Sequence, residues 1–112
     1  MHWIHLTAED QLQKIIVKSQ ERLQVIFKYS SCCHFSEVVF QRLQKNCCPG
    51  EIDFNFLDLT NYKYISEKIS ETFGIPHQSP QILVIHQGQC IFHESHSEIS
   101  LERILQHVTV AA

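Results

Sequence analysis

No block of positive charge interrupts this sequence. Its nine lysines and arginines are scattered from Lys14 to Arg103, and the formal net charge at neutral pH is -3. Binding to a nucleic-acid backbone needs a concentrated basic face, and an anionic membrane surface attracts a basic cluster. Neither partner is expected. Long apolar runs are missing too, since no stretch approaches the ~18 residues of a membrane helix. The opening Met1-His2-Trp3-Ile4-His5-Leu6 turns polar at Thr7 to Asp10. It lacks the basic start and extended apolar core of a secretory signal, so the chain reads as cytoplasmic. No repeat, linker or low-complexity tract divides it. At 112 residues and 44% hydrophobic content it is expected to be one domain, 1–112, with its own core.

The cysteines lack the spacing of a disulfide framework. There are five of them, an odd number, in the pairs Cys32-Cys33 and Cys47-Cys48 plus Cys90. Adjacent residues have Cα atoms about 3.8 Å apart, whereas a relaxed disulfide spans about 4.4 to 6.8 Å. Reduced thiols are the expectation, in keeping with a reducing compartment.

What is present is a clear succession of periodic segments. Trp3 to Leu6 suits a short strand. Thr7 or Asp10 can cap a helix to about Ser19 that buries Leu12, Ile15 and Ile16. Arg22 to Tyr29 reads as a strand, and Ile26 makes its middle apolar on both faces, as a central strand requires. Phe35, Val39 and Leu43 recur at helical spacing and place a helix at about Cys33 to Lys45. Pro49-Gly50 closes that region. Ile52, Phe54 and Phe56 alternate within a strand from Glu51 to Leu59. Ile65, Ile69 and Phe73 give the next helix, with Gly74 at its left-handed end. Gln81 to His86 and Gln89 to Glu94 form a hairpin around Gln87-Gly88. Leu101, Ile104, Leu105 and Val108 give a last helix. The order is βα followed by β-α-β-α-β-β-α. This describes an α/β domain with a central mixed sheet flanked by helices: the thioredoxin-like fold with an N-terminal βα extension.

Cys33 follows the central strand and opens a helix. Unpaired amides and the helix dipole at such a position stabilise an anion, so a thiol there is acidified and nucleophilic. The plainer alternative is a small buried hydrophobe. Ser36 lies one turn on, on the same face. A cysteine there would complete a Cys-x-x-Cys dithiol, but a serine hydroxyl can only hydrogen-bond the sulfur or satisfy first-turn backbone groups. Cys47 and Cys48 stand beyond a helix that rises ~1.5 Å per residue, about 20 Å away. Cys90 belongs to the hairpin and its distance is open. The resolving thiol is therefore expected from outside the chain. Ser79-Pro80 precedes a core strand, where base rates favour a trans bond because only ~5% of X–Pro bonds are cis.

The run Phe27-Lys28-Tyr29-Ser30-Ser31-Cys32-Cys33-His34-Phe35-Ser36 resembles the active-site segment of the YtxJ-like family of the bacillithiol system, monothiol proteins of thioredoxin fold. Ile75-Pro76-His77-Gln78-Ser79-Pro80-Gln81 and Glu94-Ser95-His96-Ser97-Glu98-Ile99 resemble that family's cis-proline and post-hairpin segments. The resemblance covers nearly the whole chain. It implies Cys33 as nucleophile and a cis Pro80 that with Ser79 forms the substrate-binding edge; Ser31, His34 and Ser36 are the candidate supporting residues around the thiol. It further implies a bacilliredoxin-like thiol–disulfide oxidoreductase that removes bacillithiol, or a similar low-molecular-weight thiol, from S-thiolated client proteins. No tightly bound cofactor is implied. The departure is His34, where the family usually has proline; an imidazole there can tune the thiol or simply face solvent.

Three other readings compete. Cys33-His34-Phe35-Ser36 also resembles the Cys-Gly-Phe-Ser box of monothiol glutaredoxins that carry iron–sulfur clusters. Of the features that hold glutathione in that family, Ser79-Pro80 stands in place of the Thr-Val-Pro loop and nothing here resembles the Gly-Gly pair. A structural zinc site would use ligand pairs two to four residues apart; His93 and His96 have no second pair to match them, so no metal is expected. A thioredoxin-fold binding protein without chemistry is the third.

Overall fold

The computed structural model describes residues 2–32, 34–45 and 52–111, the side chains of residues 97 and 107–111 excepted. The elements run β1 (Trp3–His5), α1 (Asp10–Lys18), β2 (Leu23–Tyr29), α2 (His34–Gln44), β3 (Ile52–Asp58), α3 (Leu59–Phe73), β4 (Gln81–His86), β5 (Gln89–Ser95), a 3₁₀ turn (His96–Glu98) and α4 (Leu101–Ala111). Among the described residues one five-stranded sheet forms, in the order β1-β3-β2-β4-β5. β1 pairs parallel with β3 and β3 parallel with β2, so of the strands joined by a helix only β2 and β3 are neighbours. The hairpin strand β4 runs antiparallel to both β2 and β5. The β2 strand is central, as its two apolar faces predicted.

Alternation along β2 divides the core. Val25 and Phe27 face a layer with Val39 and Leu43 of α2 and Leu101 and Ile104 of α4. Ile26 faces the opposite layer, with Leu12 and Ile15 of α1 and Ile65 and Ile69 of α3. Residues two apart on a strand share a face, so Lys28 projects to the α1/α3 side with Ile26. Trp3 docks β1 by packing on Phe54 and Phe56, while its indole N–H donates to Gln44 Oε1 at 2.8 Å.

Two helix starts differ from expectation. Neither Thr7 nor Asp10 caps α1. Glu9 occupies the N-cap without a side-chain bond, and Gln11 reaches back to accept from the Thr7 and Ala8 amides at 2.7 and 2.9 Å. The long amide side chain spans the turn that a shorter cap would have closed. Helix α3 begins at Leu59, nearly two turns before its apolar repeat opens at Ile65, because Asp58 accepts from the Thr60 amide and caps it. Tyr62 is non-helical within it (φ −130°, ψ 41°), which breaks the periodicity of that first turn. Gly74 ends α3 at φ 67°. The hairpin turn puts Gln87 and Gly88 both at positive φ, the geometry a two-residue hairpin loop prefers. Ser19 at the end of α1 holds that turn, its carbonyl accepting from Gln87 N and its Oγ from Gly88 N, each at 2.9 Å.

Candidate functional site

The chain leaves the sheet at Tyr29 and enters α2 at His34. The loop between them carries Ser30, Ser31 and Cys32. Cys33 lies outside the described residues, as do Cys47 and Cys48, but its neighbours define the site around it. Cys32 is an exposed free thiol. Ser31 is exposed and its Oγ shares a 2.7 Å hydrogen bond with Thr60 Oγ1 in the first turn of α3. His34 is exposed at the start of α2. Ser36 is fully buried, and its Oγ accepts from the Ser30 amide at 3.1 Å. Of the two roles open to that hydroxyl, the backbone one is observed: it ties the loop to the first helical turn. Tyr29 adds a second tie by donating to Glu37 Oε2 at 2.5 Å, which holds the Glu37 carboxyl below its usual range and pushes the Tyr29 phenol up to about 12.

Across the loop stands the segment before β4. The Ser79–Pro80 peptide is cis. Pro80 is buried and Ser79 half-buried, with a Ser79 Oγ that is inaccessible to solvent and has no hydrogen-bond partner among the described residues. His96, at φ 58°, latches this segment. Its amide donates to Pro80 O at 2.9 Å and its Nε2 lies 3.1 Å from Gln78 Oε1. The structure thus joins the two stretches, 75–81 and 94–99, that stand apart in sequence.

Between the loop, α3 and Ser79 lies a cleft of about 290 Å³ lined by Ser30, Cys32, Thr60, Lys63, His77 and Ser79, together with Leu59. Lys28 lies behind His77, fully buried. Its Nζ is 3.4 Å from His77 Nδ1, and Ser66 Oγ is 2.8 Å from the same nitrogen. An ammonium only donates, so the Lys28 contact is a hydrogen bond in the tautomer that carries its proton on Nε2, whereas the Ser66 hydroxyl can pair with either tautomer. Burial draws the Lys28 ammonium down to about 8. The His77 imidazole lies below its ordinary range, first through desolvation and then through the charges of Lys28 and Lys63, with Glu67 opposing. Among the described residues the ion pairs are Arg22–Asp53 and Arg103–Glu94, so Lys28 has no carboxylate partner there. Lys28, Thr60, Lys63 and His77 were not anticipated as site residues. The one available signal was a lysine on the Ile26 face of a strand read as central, where a charge cannot reach water.

Cys90 sits at the other end of the sheet. It pairs with Ile85, while Gln81, next to Pro80, pairs with Ser95; four strand residues at ~3.4 Å each separate the two ends by roughly 14 Å. Its Sγ donates to Phe92 O at 3.3 Å, and burial pushes its thiol above the usual range. Both properties disfavour it as a resolving thiol. Among the described residues no three His, Cys, Asp or Glu side chains gather as metal ligands, and no helix is long and apolar enough to cross a membrane.

Residues 4–104 match the model of the family described as monothiol bacilliredoxin BrxC. A solved protein of thioredoxin fold aligns with a TM-score of 0.80 at 21% identity, over 93% of this chain and 91% of the other. The thioredoxin of Malassezia sympodialis aligns with a TM-score of 0.74 at 14% identity, over 99% and 90%. That of Fasciola hepatica aligns with a TM-score of 0.73 at 17% identity, over 96% and 98%. At such identities the structures establish a common fold, the mixed sheet with helices on both faces.

Proposed function

The chain belongs to the monothiol bacilliredoxin family and is a thiol–disulfide redox protein of thioredoxin fold; from this premise we propose that it removes bacillithiol, or a similar small thiol, from client proteins through Cys33. The observation that carries the reading is the occupant of position 36. A buried serine bound to the Ser30 amide stands where a dithiol enzyme would carry its second sulfur, so the first turn of α2 supplies no resolving thiol.

In this reading the Cys33 thiolate attacks the small-thiol sulfur of a client mixed disulfide. A Cys33–small-thiol disulfide forms, the client–sulfur bond breaks, and the client thiolate leaves and takes up a proton. A second small thiol gives up its proton and attacks the adduct. Cys33 returns as thiolate, and the two small thiols leave as their disulfide. The helix N-terminus favours the charged form of the nucleophile, and exposed Cys32 and half-buried Cys90 remain free, as the reducing interior of a cytoplasm would keep them. Clients approach the edge formed by Ser79 and Pro80.

Intact mass after mixing reduced protein with a bacillithiolated client tests this. One bacillithiol mass is expected on Cys33 and none on the Cys33→Ser variant. Alkylation followed against pH with peptide mapping should find Cys33 the first thiol modified. Faster reaction of Cys48 or Cys90 at pH 7 overturns the assignment, as does assembly of an iron–sulfur cluster without thiol transfer.

A further inference from the structure

Lys28 is fully buried on β2. Among the described residues its Nζ has one polar partner, His77 Nδ1 at 3.4 Å, and no carboxylate. A buried cation without a counter-charge is costly, and that cost is relieved when the proton is handed on. His77 is exposed and lines the cleft together with Cys32 and Ser79, so its ring stands between the buried ammonium and the loop that carries the thiols. An imidazole can take a proton at one nitrogen while giving one up at the other. Ser66 Oγ is 2.8 Å from Nδ1 in a buried residue, and it suits both forms of the ring: it donates to a bare Nδ1 and accepts from an Nδ1–H. The other charges acting on the ring come from Lys63 and Glu67 of α3. Asp58, at the start of that helix, is engaged by the Thr60 amide at 3.0 Å and by Asn61 Nδ2 at 2.9 Å.

We propose that Lys28 and His77 form a proton relay for thiol–disulfide exchange, in which His77 carries the proton to and from the sulfurs, Lys28 acts through it as the reservoir, and Ser66 positions the ring. The inference rests on the exchange through Cys33 proposed above and assigns the protons of its two steps. As Cys33 displaces the client thiolate, His77 Nε2–H protonates the leaving sulfur while Lys28 Nζ passes a proton to Nδ1. The client departs as a thiol, the ring then carries its proton on Nδ1, and the lysine is a neutral amine. As the second small thiol attacks the adduct, the bare Nε2 takes its proton and Nδ1–H returns its own to the amine. The Cys33 thiolate, the ring and the ammonium are then as they began, and only the disulfide bonds have been exchanged. Burial brings Lys28 to about 8, close to the ~8.5 of an ordinary thiol, so the proton moves in either direction at little cost.

Leaving-group dependence tests this, because a basic thiolate gains from a proton donor and an acidic one does not. Reduced protein is reacted in single turnovers with two neutral disulfides. Dithiodipyridine releases a stable thione that needs no proton on sulfur, and hydroxyethyl disulfide releases a basic thiolate. The rate with hydroxyethyl disulfide relative to that with dithiodipyridine should fall by about tenfold or more in His77→Ala and in Lys28→Met, and hold in Lys14→Ala on α1. Ionisation of Cys33 affects both reactions alike and cancels in this ratio. The ratio should decline in the native protein as pH rises through about 8, where Lys28 loses its proton, and stay flat in Lys28→Met. An unchanged ratio in either variant, or equal slowing with the two disulfides, which a structural role would give, overturns the relay and leaves thiol exchange standing. No adduct from either disulfide on the native protein rejects the exchange and the relay together. A second measurement needs no variant. Nitrogen NMR of the histidine rings in the reduced native protein at pH 7 should find His77 neutral with its proton on Nε2. A ring protonated on Nδ1 has no acceptor for Lys28 and overturns the proposal.

Discussion

Lys28 shows what a single side chain contributes and costs. Its ammonium is fully buried on the α1/α3 face and meets His77 at 3.4 Å. Burial brings its pKa to about 8 from 10.5, so between those values the unfolded chain binds more protons than the folded one, and stability rises with pH across that window. Below pH 8 both states are protonated and the penalty is complete. Lys28→Met, which keeps the length and removes the charge, should stabilise the protein at pH 7 by about 1–4 kcal/mol. The advantage should shrink as pH climbs from 8 toward 10.5, and urea titrations at a series of pH values would measure it. A constant difference between the two proteins across that range would show that Lys28 is not the group being titrated. Ser36 makes the opposite case. Its buried Oγ is the acceptor for the Ser30 amide, and Ser36→Ala leaves that partly buried amide unpaired, at about 1–3 kcal/mol. Thermal melts should show the loss, and amide exchange should locate it in the loop before α2.

Elements place these side chains. Helix α3 brings Thr60, Lys63 and Ser66 to the site because it starts early, at Leu59, under the Asp58 cap. Its first turn is a distinct piece, set off by the non-helical Tyr62, and depends more on that cap than the well-packed turns around Ile65 and Ile69 do. Asp58→Ala should therefore cost about 1 kcal/mol and loosen the turn that carries Thr60 and Lys63. Hydrogen exchange should rise at the α3 start and remain slow at Ile69. Uniform change along α3 would contradict this picture of a separately capped turn. The segment 76–80 is positioned differently, by the His96 latch to Pro80 and Gln78, so the end of β5 and the loop before β4 form one unit at the mouth of the site.

For the molecule as a whole, β2 is the common wall of two cores. Phe27 is completely buried and packs with Val39 and Leu43 of α2 and Ile104 of α4, and Trp3 leans over it from β1, tilted by 36° at 5.8 Å between ring centroids. Phe27→Ala should remove about 3–5 kcal/mol. Trp3 is the sole tryptophan, so its fluorescence reports on this core directly. Fluorescence and far-UV circular dichroism should lose signal at the same urea concentration, in the native protein and in Phe27→Ala alike, if the two layers unfold together. Separate midpoints would mean that the α1/α3 layer has independent stability.

Local pattern was enough to determine the element order, the central position of β2, the pairing directions, the left-handed Gly74 and the place of α2 immediately after the cysteine pair. These follow from periodicity and turn chemistry, which act over a few residues. The first turn of α3 escaped because the break at Tyr62 hides its repeat and Asp58 reads equally well as the end of a strand. Gln11 escaped as a cap because a long side chain reaching backwards leaves no short-range signature. The cleft could be decided only by the tertiary structure. Lys28 and His77 are 49 residues apart and Ser31 and Thr60 are 29 apart; neither pair has any sequence relation that requires them to meet. They meet because the parallel crossover from β2 through α2 to β3 sets α3 beside the loop after β2, and because burial within that layer leaves Lys28, which has no carboxylate partner among the described residues, to find its neighbours there.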